Sequence, residues 1–393
     1  MPTTIELFGG TMMSPIADPY PVYRRLRDQS PVLYVNGIFG EAPLVTRYAD
    51  VMTILKEHHR FSSHANARAI GLVMGRTIIE MDGLEHLHHR RLITPALTPR
   101  ALKDGLPQAI GGIAHALIDQ FAAEGAADLV ADFTFTFPIR VFAAQFFRIP
   151  VADYELFHHW ALDLISISDD PPRAFAAAQA IVDYLRPVLE RRRAEPPADD
   201  LISMLAHAEV DGQRLTDEEV LSFCRLLVPA GAETTYRLIG NTLHALLTHP
   251  EQLDEVRADR ALIDLAIEET LRFESPVQYV SREASEELTL SGTRVPRGKT
   301  LMVCLGSANR DERAFDDPDR FDLHRVSSEP HVGFGFGKHF CAGSHLARME
   351  ARIAIDALLE RLPNLRLDRR QPSSVVGLAF RSPDRLPVLF DRS

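Results

Sequence analysis

A stretch of apolar periodicity from residue 216 to about residue 248 constrains this chain most, because a helix that long must cross whatever domain contains it. Thr216 and Glu219 make a T-x-x-E capping box at its start, and His249-Pro250 stops it. At 1.5 Å per residue, about 32 residues span roughly 48 Å. Leu221, Phe223, Leu226, Leu227, Val228, Leu238 and Leu243 cover most of its faces, which predicts burial on several sides and a central position. Pro229 removes one backbone donor and clashes with the preceding turn, so a kink or local opening is expected immediately before Ala230-Gly231-Ala232-Glu233-Thr234-Thr235. The small residues beside it favour close approach by a ligand.

Further helical patterns follow Asp18, run from about 85 to 102 and from 110 to 123, and recur up to Leu362. Strand-like pieces are short: 32–35, 287–290, 300–305 and a C-terminal pair near Leu378 and Val388. The pattern is mainly α with a minor β portion. No repeat or low-complexity linker divides the sequence, and the Pro-rich stretch around Pro196 reads as a loop, so residues 1–393 are expected to form a single domain. No apolar run approaches the roughly 20 residues that span a bilayer, and the N-terminus lacks a leader pattern, which predicts a cytoplasmic protein without a membrane partner. The formal net charge of −11 argues against nucleic acid as a partner. Three scattered cysteines without a CxxC favour neither disulfides nor zinc.

Residues 334–343 read FGFGKHFCAG and precede an amphipathic helical pattern, SHLARMEARIAIDALLERL. Free cysteines are usually buried, a reading that suits Cys224 in mid-helix and Cys304 in a strand. Cys341 differs, because it lies just before a helix N-terminus, where free N–H groups and the macrodipole stabilise a thiolate. Gly335, Gly337 and Gly343 permit a tight, bulge-like loop that brings amides near the sulfur and lets a flat macrocycle lie against it. From composition alone, F-G-x-G-x-H-x-C-x-G arises roughly once in 10⁸ positions, so chance is set aside as its origin.

This loop resembles the haem-binding signature of the cytochromes P450, and three further motifs stand in that family's order over essentially the whole chain. The resemblance implies the cytochrome P450 fold with the long helix crossing the domain over the haem, haem b as cofactor, and Cys341 as the iron ligand. Phe334, Gly335, Gly343 and Ala230 then lie at the haem, and His86, Arg90, Arg282 and His339 hold its propionates. His86 and Arg90, four apart, share a helix face. Leu97 stands where the family often has Phe. Glu233 and Thr234 become the catalytic acid–alcohol pair that passes protons to the oxygen site. Glu269 and Arg272 form an E-x-x-R that pairs with Arg320 and supports the cysteine loop. The G-x-G within GFGKHF lacks the third Gly of a dinucleotide fingerprint. The pairs His58-His59 and His158-His159 lack metal-ligand spacing and read as surface residues, and His88 and His89 as a solvated face.

The implied activity is that of a soluble, bacterial-type haem-thiolate monooxygenase, which inserts one oxygen atom from O2 into a hydrophobic small molecule by hydroxylation or epoxidation. The length leaves no room for a flavin or iron–sulfur domain, so electrons are expected from NAD(P)H through a ferredoxin and its reductase, with Lys338 and Arg348 as docking cations. By position in the family, residues 65–77 with Gly71 and Gly75, Ile165, Ile167, Val228, Val277, Leu378 and Ala379 line the substrate pocket, and Arg68 or Arg76 is placed to meet a carboxylate. Two other readings stay open: a haem sensor or carrier without turnover, in which Glu233 and Thr234 are idle, and a cofactor-free helical scaffold with Cys341 merely buried.

Overall fold

The computed structural model describes residues 1–11, 14–37, 40–97, 105–168 and 170–392. The long helix runs Asp217–Thr248 with Thr216 as its N-cap, and the capping box closes as Glu219 accepts from the Thr216 N–H at 2.7 Å. It packs against the helices Tyr154–Ile165, Pro171–Ala194, Leu262–Phe273 and Ser344–Arg361, the central position its apolar faces require. The opening expected at Pro229 does not occur, and the α-helical run continues through it. Proline removes one bond and crowds the carbonyl four residues back, but Val228 and Ala232, buried on either side, hold the helix in register.

The helix expected over 85–102 is Gly83–Ile93, followed by a 3₁₀ turn at Thr94–Leu97, while 98–102 lie outside the described residues. Pro95 explains the early end, since a proline disfavours α geometry in the residue before it. The run at 110–123 is the helix Leu106–Ile118. A five-stranded sheet carries the strands in the order Val32–Gly37, Gly40–Val45, Thr300–Cys304, Tyr279–Ala284 and Phe61–Ser62. Its register sets Arg282 opposite Leu301. The expected C-terminal pair is split between two sheets: Val375–Val376 pairs with Ser382–Pro383, leaving Leu378 in the intervening turn, and Pro387–Leu389 pairs with Arg366–Leu367 and Ala126–Asp128. The fold is mainly α with a minor β portion, and among the described residues no helix is long and apolar enough to cross a membrane.

Glu269 and Arg272 form a bidentate, buried ion pair, with both N–H···O contacts at 2.8 Å. Arg272 also donates to the carbonyls of Asn309, Pro318 and Arg320, at 3.0, 2.8 and 3.0 Å. The expected third side chain is therefore corrected. Arg320 offers its backbone and is itself exposed, whereas Arg325 donates to Glu269 Oε1 at 3.1 Å. Removing one partner of a buried pair strands the other charge, which costs about 3–5 kcal/mol. Arg272→Ala is expected to lower the thermal midpoint by that measure in calorimetry, Arg325→Ala to lower it less, and Arg320→Ala to leave it unmoved.

Candidate functional site

The cysteine loop is built by backbone geometry that few residues other than glycine adopt. Gly335 and Gly337 both have φ of +72°, a 3₁₀ turn spans Gly337–His339, and the Cys341 N–H closes the loop on the Phe334 carbonyl at 3.0 Å. Cys341 keeps accessible surface, unlike the buried Cys224 and Cys304. Burial by the surrounding protein nevertheless pushes its thiol up, against the Gly343 N–H and the charges of Arg90 and Arg348, which favour the thiolate. The helix Ser344–Arg361 begins three residues on, as the sequence predicts.

Beside the cysteine four side chains converge. Arg90 donates to the Phe340 carbonyl at 2.6 Å, and the rings of His86 and His339 stand 4.2 Å apart. Arg282 is buried on its strand and spends one donor on the Ser281 carbonyl at 2.7 Å. Burial pulls it down to about 10, and burial together with His339 and Arg90 pulls His86 down to about 4, so that imidazole is neutral near pH 7. Among the described residues neither Arg90 nor Arg282 makes an ion pair, and His86 Nε2 is buried without a partner. The nearby carboxylate, Asp82, lies 3.5 Å from His339 Nε2 and is already bonded by the Ser63 N–H at 3.0 Å. Cations held in a low dielectric with so little counter-charge stabilise an incoming anion. A soft sulfur beside two uncommitted arginines fits haem b, whose iron takes a thiolate and whose edge carries two carboxylates.

On the long helix, Ala230 is exposed in the middle of a buried element and Thr234, one turn on, is half-open, so one narrow face remains accessible. Gly231 lies on a packed face, where a Cβ would come within 2.7 Å of Phe142. The Thr234 hydroxyl donates to the Ala230 carbonyl at 3.0 Å. Glu233 is buried, which raises its carboxyl against the pull of Arg237, and it pairs with Arg237 at 3.5 Å rather than with Thr234.

Several expected residues stand elsewhere. Val228 and Leu378 are wholly buried in packed cores and do not face an opening, whereas Ile165, Ile167, Val277 and Ala379 keep accessible surface. Arg68 is bound to Glu283, and Arg76 makes a fork with Glu85 at 2.7 and 2.6 Å, so both already have carboxylate partners within the chain. Arg348 is likewise committed to Glu268 at 2.9 Å and lies 4.6 Å over the Phe334 ring, whereas Lys338 is exposed. His158 is buried against Phe135, because it falls on the inward stripe of its helix beside Phe157 and Ala161. His89 bridges to Glu219 at 3.0 Å and ties its helix to the start of the long one. Sequence reasoning missed Arg237, Arg325 and Asp82, and only Arg237, a charge on a predicted buried helix, carried a signal.

With this geometry in hand, comparison with known proteins identifies the class. The family model described as Cytochrome P450 matches residues 16–374. The chain is 38% identical over 371 residues to the vitamin D(3) 25-hydroxylase of Pseudonocardia autotrophica, which covers 92% of this chain and 90% of that protein. It is 37% identical over 362 residues to the cytochrome P450 monooxygenase PikC of Streptomyces venezuelae, covering 90% and 86%. The structure of cytochrome P450 CYP109Q5 from Chondromyces apiculatus matches with a TM-score of 0.87 at 36% identity, over 96% of each chain. The fold and the relatives together define a haem-thiolate monooxygenase. This chain belongs to the cytochrome P450 family; its cofactor is haem b, and it acts on hydrophobic substrates with O2.

The two left-handed glycines separate conformation from contact. A Cβ at Gly335 comes no nearer than 3.7 Å to another atom, whereas at Gly337 it falls 2.7 Å from the Leu55 carbonyl. Gly335→Ala is expected to suffer only the backbone penalty of about 1–2 kcal/mol and to keep its haem. Gly337→Ala adds a collision with fixed backbone and is expected to purify with a clearly lower ratio of Soret to protein absorbance.

Proposed function

We propose that Cys341 would bind the haem iron and that through it this chain works as a cytoplasmic monooxygenase, hydroxylating or epoxidising an apolar substrate with electrons from a ferredoxin and its reductase. The single observation that carries this reading is the placement of an accessible Cys341 beside two arginines that lack carboxylate partners. When bound, haem b supplies the dioxygen activation and the oxidising equivalent.

The chain's own residues supply position, dryness and protons. Arg90, Arg282, His86 and His339 would hold the propionates, and Phe334, Gly335, Gly343 and Ala230 would pack against the macrocycle. Glu233 and Thr234 move protons toward the oxygen site, a task that a pocket closed by apolar side chains confines to few groups. Ile165, Val277 and Ala379 offer apolar walls to the substrate. The cysteine helix, the long helix and the sheet each contribute to this one site, which favours the whole chain acting as one domain.

Thr234 also separates turnover from sensing. Thr234→Ala is expected to divert electrons from product to peroxide, so the ratio of peroxide formed to NAD(P)H consumed should rise; an unchanged ratio would favour the sensor reading. Cys341→Ser is expected to abolish the red-shifted band of the reduced, carbon-monoxide-treated protein, and its survival would overturn the ligand assignment. Lys338→Glu is expected to raise the KM for an acidic ferredoxin most strongly at low ionic strength, because exposed charges act over about a Debye length.

A further inference from the structure

Glu233 has a partner on its own helix that no motif supplies. Arg237 lies one turn further on, with Nη2 3.5 Å from Glu233 Oε2 and Nη1 donating to Ser382 Oγ at 2.9 Å. Its guanidinium also lies 4.7 Å over the Tyr236 ring and 5.6 Å over the Phe380 ring. Ser382 and Phe380 belong to the C-terminal hairpin, so the cation is moored to a second element and cannot follow a moving carboxylate far. The Glu233 side chain is 3% exposed. Its other oxygen, Oε1, is buried without a hydrogen-bond partner among the described residues.

Few other charges reach this carboxyl. Tyr236 and Arg237 share its helix, and among the described residues Arg237 is the charge that acts on it directly. From the hairpin it is faced by Ser382, which does not titrate. The helix Tyr154–Ile165 brings His158, whose ring packs on Phe135 at 4.1 Å, with Phe135 in turn 5.3 Å from Tyr236.

We propose that Arg237 is a positioning residue for oxygen activation: it holds Glu233 Oε2 as a fixed, charged carboxylate edge and leaves Oε1 to accept and pass on protons. The inference rests on the reading of Glu233 and Thr234 as the proton-delivery pair. Each cycle balances, since the proton that Oε1 takes up is the one it gives up toward the Thr234 hydroxyl, Glu233 returns to carboxylate and Arg237 stays charged throughout. A carboxyl this deeply buried favours its neutral form, and a group that stays neutral cannot reload. The moored guanidinium offsets part of that burial cost and so favours the ionised form. A long contact of 3.5 Å suits that task, because a tight fork would hold both oxygens and stop the relay.

The test uses the haem-loaded full chain. Arg237→Gln is expected to show the red-shifted band with carbon monoxide and to bind imidazole at the iron with the parent's Kd. In infrared difference titration of the ferric protein, its protonated-carboxyl band should persist to a proton concentration about tenfold lower than in the parent. The band should vanish in Arg237→Gln combined with Glu233→Gln, and Arg237→Lys should titrate like the parent. Peroxide per NAD(P)H, measured with a surrogate ferredoxin and reductase, should rise about threefold in Arg237→Gln. If that variant fails to load haem, Ser382→Ala, which removes one mooring, is expected to shift the same band in the same direction by less. A band that titrates alike in the parent and in whichever of these two variants loads haem overturns the proposal while leaving the monooxygenase reading intact. Peroxide yield unchanged by Glu233→Gln alone overturns the proton-delivery reading and this inference with it.

Discussion

The site depends on one buried ion pair, Glu269 with Arg272, because the chain between Asn309 and Cys341 contains almost no regular structure and still has to be held inside the protein. Buried backbone carbonyls that no helix or strand satisfies need other donors. Arg272 supplies three of them, to Asn309, Pro318 and Arg320. Glu269 takes the Asp322 N–H at 3.0 Å, and Asn309 extends the network, accepting from the Val332 N–H at 2.7 Å. From Val332 the chain enters the glycine loop, whose Gly333 lies so close to the Leu271 carbonyl that a Cβ would stand 2.6 Å from it. The sulfur is thus placed by a chain of backbone contacts that begins on the acid–arginine helix.

Electrostatics complete what the backbone begins. Arg282 and His86 are buried on separate elements, a strand and a helix, yet act on a common point beside His339. Two arginines with so little negative charge beside them are unfavourable until an anion arrives, and the neutral imidazoles moderate that cost. On the proposed reading, these residues favour a doubly anionic ligand close to a soft one. Haem b meets both demands at once, which is why sulfur and arginines carry more together than either does alone.

Much of this was legible in the sequence, and the failures have physical causes. The capping box of Thr216 and Glu219, the cysteine loop and the helix stripe of His86 and Arg90 are local, so spacing alone reveals them. Arg320 was misassigned because a motif marks a position and does not say whether the side chain or the carbonyl makes the contact; the carboxylate went to Arg325 instead. Val228 and Leu378 were assigned to the pocket by position in the family, but such a position does not say whether the side chain meets protein or a cavity, and both are buried in packed protein. His158 shows the same limit, since a polar residue on an apolar stripe follows the stripe inward. The arginines at 68 and 76 looked available because their partners, Glu283 and Glu85, lie on other elements.

Those partners would also bear on selectivity. If Ile165, Val277 and Ala379 wall the substrate side as proposed, it is apolar, with Arg68 and Arg76 paired to carboxylates and Glu233 to Arg237. Selection by such a wall rests on shape and area, where one methylene alters binding by only about 1–3 kcal/mol. On the proposed reading, proton supply by contrast depends on Glu233, a carboxyl that burial alone would hold neutral. The step that consumes protons would then be governed by residues that the substrate does not need to touch.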